Sequence, residues 1–257
     1  MQRRRFLLNS SLCLAGLGLA PKQQLLASSL FSGAGNLAII RQNVGFYTER
    51  GGTIAWLLSN EGSVIVDTQF PDQSQNLLSQ LRERDELAQL DLLVNTHHHG
   101  DHTSGNPVFA DLLKTHVAHI NSKKNQERVA KERDQLDNVL LPATTYDKEW
   151  STKVSNEAIT LRYFGPGHTD GDSVIHFENA NVAHLGDLIF NRRFPYIDPK
   201  SGGTFKNWAK VLGKISRVYD KETIFVFGHA AASYPVTGNI NYVRAMRNYI
   251  FRLAAFT

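Results

Sequence analysis

Residues 92–106 read "LLVNTHHHGDHTSGN", an apolar run that stops abruptly at four histidines and one aspartate packed into six positions. Apolar residues on both faces, followed at once by this cluster, place it at the carboxyl end of a buried strand. His97, His99, Asp101 and His102 form the pattern H-x-H-x-D-H, in which imidazoles and a carboxylate converge from one turn. These side chains are good zinc ligands. Gly100 in their midst permits the tight or positive-φ bend that convergence needs. One loop still leaves coordination incomplete. Three later strand ends supply more: His168 in "GPGHTDGD", Asp187 in "AHLGDLIF" and His229 in "FVFGHAA", each where an apolar run stops beside a glycine.

Outward from that stretch, strand and helix patterns alternate. "NLAIIRQNVGFYT" (36–48), "TIAWLLS" (53–59) and "SVIVDT" (63–68) read as successive strands, with turns at Gly51 and Gly52 and at residues 60–62. "DQSQNLLSQLRER" (72–84) has helical spacing and "DLLVNT" (91–96) is a short buried strand. Strands return at 159–165, 172–178, 181–187 and 223–229, with helices expected at 205–218 and from about 239 to 253. This alternation indicates an α/β layered fold, and no linker or repeat divides it, so residues 30–257 are expected to form a single domain. The charged segment 121–140 reads as a helix, either with a solvated face or as a lid over the site. Trp56, Trp150 and Trp208 are expected in the core. Ser104, Ser173 and Ser201 lack a nucleophile-elbow motif, which argues against a serine nucleophile.

Residues 1–29 differ. "MQRRRFLLNSSLCLAGLGLA" has a charged start, a short apolar run and small residues after it, the form of an export signal. "QRRRFLL" resembles the twin-arginine signal, with Gln2 where Ser or Thr usually stands. Asn9, Ser10 and Ser11 interrupt the apolar run, so cleavage near Ser29, no stable membrane anchor afterwards and a periplasmic location are expected. The segment holds Arg3, Arg4, Arg5 and Lys22 and no acid; removing these four from the 28 lysines and arginines leaves 24 against 24 acids. That balance gives no ground for nucleic acid or an anionic membrane as partner, and a small-molecule substrate is expected instead. Cys13, the only cysteine, lies in the signal, so the mature chain has no thiolate ligand and no disulfide. Oligomeric state leaves no trace in the sequence.

The ordered set of His97, His99, Asp101, His102, His168, Asp187 and His229 resembles the metallo-β-lactamase-fold superfamily of metallohydrolases, over essentially the whole mature chain. The resemblance implies an αββα sandwich with metals in a cleft at one edge of two sheets. It implies that His97, His99 and His168 hold one metal, that Asp101, His102 and His229 hold a second, and that Asp187 bridges both. Two Zn2+ are expected, with iron as the alternative. Asp67 matches an acidic position that supports the ligand loop and would fix which imidazole nitrogen faces the metal. His98 should point away, and His116, His119, His176 and His184 are expected to be structural. Two divalent cations about 3.5–4 Å apart bring the pKa of a shared water towards 7, so hydroxide is the expected nucleophile, oriented by Asp101, which is also placed to pass its proton. The expected activity is hydrolysis of a small ester, lactone or amide, β-lactams included. No ligand is missing, which favours an active site.

Departures from known branches narrow the choice. The cysteine ligand of the largest β-lactamase subclass is absent, and the subclass using histidines and the loop aspartate normally lacks a bridging aspartate. The histidine loop looks like that of glyoxalase II, but the 28 residues after His229 are too few for the helical domain of that branch. Ligand spacing resembles bacterial lactonases, with Phe190 where their tyrosine stands and Tyr196 as a substitute from the same loop. RNA-processing relatives need an inserted domain. Residues 186–212 resemble exported members of unassigned substrate, in which Arg192, Arg193, Tyr196, Gly202 and Gly203 are candidates for substrate contact, set against an ordinary loop before a helix start at Thr204. Two alternatives stand beside the hydrolase: an oxidoreductase holding one iron on His97, His168 and Asp187 to oxidise a sulfur compound such as a persulfide, and a non-catalytic periplasmic metal-binding accessory protein.

Overall fold

The computed structural model describes residues 35–84 and 87–256; the expected export signal at 1–29 lies outside them. In the first half, β1 (Asn36–Arg41), β2 (Val44–Thr48), β3 (Ile54–Ser59) and β4 (Gly62–Val66) form an antiparallel meander. After α1 (Pro71–Arg84), β5 (Leu90–Asn95) lies parallel to β4; the short helix α2 (Gly100–Thr103), β6 (Leu113–His119), α3 (Ile120–Glu132) and β7 (Thr144–Tyr146) follow, and the seven strands lie in chain order.

The second half repeats the plan. Strands β8 (Glu149–Val154), β9 (Glu157–Tyr163), β10 (Ser173–Phe177) and β11 (Val182–His184) are again antiparallel. Beyond β12 (Phe190–Asn191) and α4 (Phe205–Val218), β13 (Ile224–Val226) returns parallel to β11, while β14 (His229–Ala230) pairs with β12, β15 (Thr237–Gly238) edges the sheet and α5 (Ile240–Leu253) closes the chain.

Side-chain alternation stacks these parts into four layers. Leu92 and Val94 of β5 meet Ile159, Leu161, Ile175 and Phe177 between the sheets, whereas Leu93 turns outward to Leu77 and Leu81 of α1. On the other side, Val174, Ala183 and Phe225 pack under Trp208, Leu212 and Ile215 of α4 and Val243 and Ile250 of α5. Burial on both faces explains why the central strands read as continuous apolar runs. The fold is the expected single-domain αββα sandwich.

Three local differences have physical causes. Residues 36–48 form a hairpin of two strands, because Gln42 takes φ +52 and reverses the chain. Strand β6 carries Lys114, Thr115, His116 and His119, polar residues that mask its periodicity; His116 Nε2 bonds Asn95 Oδ1 at 2.8 Å, so the strand is buried through a polar network. Strand β8 alternates Glu149, Ser151 and Lys153 outward and likewise lacks an apolar run. Thr204 caps α4 by accepting from Asn207 N, as its place before the helix suggests. No described helix is long and apolar enough to cross a membrane.

Candidate metal centre

All seven candidate residues follow strand ends at one edge of the two sheets. His97, His99, Asp101 and His102 come from the loop and short helix after β5, His168 from the β9–β10 connection, Asp187 from the turn after β11, and His229 from the start of β14. Asp67, at φ +65 just beyond β4, braces the first of these. Its Oδ1 accepts Thr96 N–H at 2.8 Å, and its Oδ2 accepts Thr96 Oγ1–H at 2.7 Å and lies 2.7 Å from His102 Nδ1. That contact spends the Nδ1 proton and aims His102 Nε2 at the centre. Backbone must also come close: a Cβ on Gly52 would overlap the His102 ring, and one on Gly228 would overlap Asp187 Oδ1.

Two donor sets result. His97 Nε2 lies 3.0 Å from His99 Nδ1, which lies 2.9 Å from His168 Nε2, and Asp187 Oδ2 is 3.8 Å from His97 and 3.5 Å from His168. On the other side, Asp187 Oδ1 is 3.1 Å from His102 Nε2 and 3.3 Å from His229 Nε2, and Asp101 Oδ2 is 3.2 Å from His229 Nε2. The four atoms of the first set fall within 4.8 Å of one another, as do those of Asp101, His102 and His229. His102 Nε2 and Asp187 Oδ1 are buried, and neither has a well-directed hydrogen bond. Lone pairs aimed at a common point rather than at partners fit a divalent cation, and a nitrogen and oxygen donor set without sulfur suits zinc or iron.

The two sets differ in charge. Burial drives His97 well below the usual imidazole range and pushes His168 down to about 4, so both are neutral at pH 7. Burial also opposes charge at His102 and His229, but the carboxylates of Asp187, Asp67 and Asp101 outweigh it at His102, which is lifted well above that range. Asp187 and Asp101 likewise raise His229 to about 9. Against its own burial, Asp187 is held well below the carboxylate range by His102 and His229.

Around the centre the structure sorts the remaining candidates. His98 turns away: its Nε2 lies 3.2 Å from Ser201 Oγ and 3.3 Å from Asp198 Oδ2. Ser201 and Asp198 share that one nitrogen, which is not the arrangement of a serine triad. Ser173 is occupied by Tyr146. Asp198, which the sequence does not reveal, approaches His99 Nε2 at 3.2 Å and so orients the ring from behind; it sits on an irregular loop 99 positions from its partner. Tyr196 is exposed, its ring 5.5 Å from His99, while its carbonyl accepts from His168 Nδ1 at 2.8 Å. Phe190 stacks on His229 at 5.2 Å. Trp56 and Trp208 are core residues, and Trp208 packs 5.6 Å from His168; Trp150 packs against the core between the sheets. His184 secures the turn to Asp187 by accepting from Gly186 N, His116 and His119 make structural bonds, and His176 contacts Asn181. Gly202 and Gly203 serve the turn beneath His168, where a Cβ on Gly203 would overlap the His168 carbonyl. Arg192 and Arg193 face a separate groove beside α5. Helix α3 keeps the solvated face its charges suggest, with Lys124, Lys131 and Glu132 exposed, while its other side walls a cleft of about 430 Å³ that opens on His99, and Arg128 fastens it to Ser201 at 2.8 Å.

Comparison with known proteins adds a family. A hydroxyacylglutathione hydrolase of Crocosphaera subtropica (strain ATCC 51142 / BH68) is 29% identical over 176 residues, 65% of this chain, and the match spans 59% of that relative's length. The crystal structure of DIM-1 metallo-beta-lactamase shares the fold with a TM-score of 0.69 at 18% identity, covering 86% of this chain and 98% of that one. Residues 48–229 match the family model described as the metallo-beta-lactamase superfamily, a span that contains every residue of both donor sets. The chain therefore belongs to the metallo-β-lactamase superfamily and carries a His/Asp cluster consistent with its dinuclear metal site.

Proposed function

We propose that this protein is a dinuclear zinc hydrolase acting on a small ester, lactone or amide, β-lactams included. The observation that carries the reading is Asp187, whose Oδ2 faces His97 and His168 while its Oδ1 faces His102 and His229. One carboxylate facing two donor sets suits a pair of cations, with His97, His99 and His168 holding one and Asp101, His102 and His229 the other. A second complete set is superfluous to a single-iron oxidoreductase. Held by these residues, a pair of divalent cations would supply water of lowered pKa and polarisation of a scissile carbonyl.

The chain's own residues supply the rest. Asp67, Asp198 and the Tyr196 carbonyl hold the imidazoles of His102, His99 and His168 from behind, so these rings need no reorganisation on binding. Asp101 is the acid–base residue: its side chain is 31% exposed, which leaves it accessible to the attacking nucleophile's proton while His229 fixes one oxygen. Substrate reaches the centre through the cleft between His99, Tyr196 and α3. On the pattern of residues 1–29 we place the enzyme in the periplasm, exported by the twin-arginine route, with a small-molecule substrate and no nucleic-acid partner. Zinc-loaded protein should hydrolyse at least one member of an ester, lactone, amide and β-lactam panel, and Asp101→Asn should abolish that turnover; a fully loaded protein silent across the panel would refute the reading.

A further inference from the structure

Tyr196, Asp198, Pro199 and Lys200 border the cleft at His99, whereas residues 189–194 border a second, larger groove of about 640 Å³ against α5. No candidate metal ligand lines this groove. One side chain joins it to the centre: Phe190 belongs to its wall, stacks on His229 and lies 5.8 Å from the His168 ring. Pairing of β12 with β14 sets Phe190 directly opposite His229, so the groove wall and that histidine are built as one piece.

The lining is aromatic and cationic. Phe190, Phe194, Tyr234, Tyr242, Met246 and Tyr249 are among its lining residues, with Phe194 71% and Tyr234 51% exposed. A concave aromatic surface left open to water is a binding surface by composition. Arg192 is held at φ +56 with its guanidinium 5.7 Å from the Tyr234 ring centroid, and neither it nor the exposed Arg193 has a carboxylate partner among the described residues. No acidic residue lines the groove among the described residues. An apolar wall beside two uncompensated guanidinium groups matches an apolar ligand that ends in a carboxylate, which arginine binds through paired hydrogen bonds.

We propose that this groove binds an aromatic or aliphatic chain bearing a carboxylate, and that during turnover it holds the non-reacting arm of the substrate. The second half rests on the hydrolase reading; the first does not.

Binding of 4-phenylbutyrate and of neutral 4-phenylbutanol to the metal-free protein, followed by calorimetry, tests the site without turnover. The acid should bind about tenfold more tightly than the alcohol, the advantage of a charge-assisted contact. Ala245→Trp, which fills the groove from an exposed position on α5, should weaken both about tenfold or more, and the double substitution Arg192→Gln with Arg193→Gln should erase the preference while leaving the alcohol unchanged. Acid binding that neither variant alters puts the carboxylate at the metal centre and overturns the proposal. With zinc-loaded protein, the double variant should raise KM for monoesters of dicarboxylic acids and spare their neutral diesters; an equal change for both removes the substrate-arm assignment. If the groove binds as described and no ester turns over, the hydrolase reading fails and the site stands.

Discussion

In the first half of the molecule β4 runs beside β5, and Asp67 N donates to Val94 O at 2.8 Å; in the second, β11 runs beside β13, and Leu185 N donates to Val226 O at 2.9 Å. Asp67 and Leu185 thus hold matching places. Asp67 turns back to brace the loop after β5, whereas Leu185 stays in the core and the carboxylate comes two residues later, beyond Gly186 at φ +50. One half concentrates four donors in a single braced loop, and the other spreads His168, Asp187 and His229 over three separate turns. A concentrated set depends on one internal brace; a distributed set depends on the sheet that spaces it. Asp187 is the point where the two plans meet.

The largest effect is therefore expected at that meeting point. Asp187→Ala should reduce bound metal below two per chain and cut turnover by more than about a hundredfold, beyond the 10–100-fold typical of supporting residues; elemental analysis beside a rate assay checks it. Asp67→Ala should come next, with metal affinity down about 10–100-fold. Thr96 N, Thr96 Oγ1 and His102 Nδ1 all lose their acceptor, and at about 1–3 kcal/mol for each buried unsatisfied group the metal-free protein should lose roughly 3 kcal/mol or more. Chemical denaturation would show it, and no loss of stability would mean that the loop does not rely on this brace.

The third effect is one of pH, and its sign differs between the donor sets. His97 and His168 are kept neutral by burial, so the stability His168 allows grows as pH rises from about 4 towards 6.5, and His97 acts in the same direction. His102 and His229 have raised values: their contribution is fully present below 6.5 and is lost as pH climbs through about 9 for His229. Metal-free protein should accordingly melt highest near pH 6.5 and lower on either side, and zinc, which needs neutral imidazoles, should remove the alkaline decline. A metal-free Tm that rises steadily from about pH 6 to 9 contradicts the charge difference between the sets. The smallest effect belongs to Tyr196→Phe, which keeps the carbonyl that holds His168 and removes only an exposed hydroxyl; kcat/KM should change by less than about twofold, roughly the 0.5 kcal/mol of an ordinary surface substitution.

Much of this comparison is legible in the sequence because each donor ends an apolar run. A buried strand needs continuous apolar residues, so the place where they stop is visible, and His97, Asp187 and His229 mark three such places. Asp67 is legible for the same reason, at the end of "SVIVDT". Asp198 is not. It stands in an irregular loop with no periodicity, and what brings it to His99 is the packing of the 3-10 turn Pro199–Ser201 against α3 through Arg128, a contact between segments 73 positions apart. Strand β6 is hidden by its own place in the core, since the bond between His116 Nε2 and Asn95 Oδ1 allows a polar residue to be buried where periodicity calls for an apolar one. The groove beside α5 is equally silent, because Phe190, Tyr234 and Tyr249 come from three separate segments and meet only in the folded chain.

The central claim is that one carboxylate joins two metal positions, and metal content per chain tests it most directly. Protein purified without added metal or chelator should carry about two zinc ions, the complement of a two-metal hydrolytic site, and the Asp187→Ala variant should carry fewer. A single iron per chain, retained when Asp101 or His229 is replaced, would contradict the shared centre and make the oxidoreductase the better account.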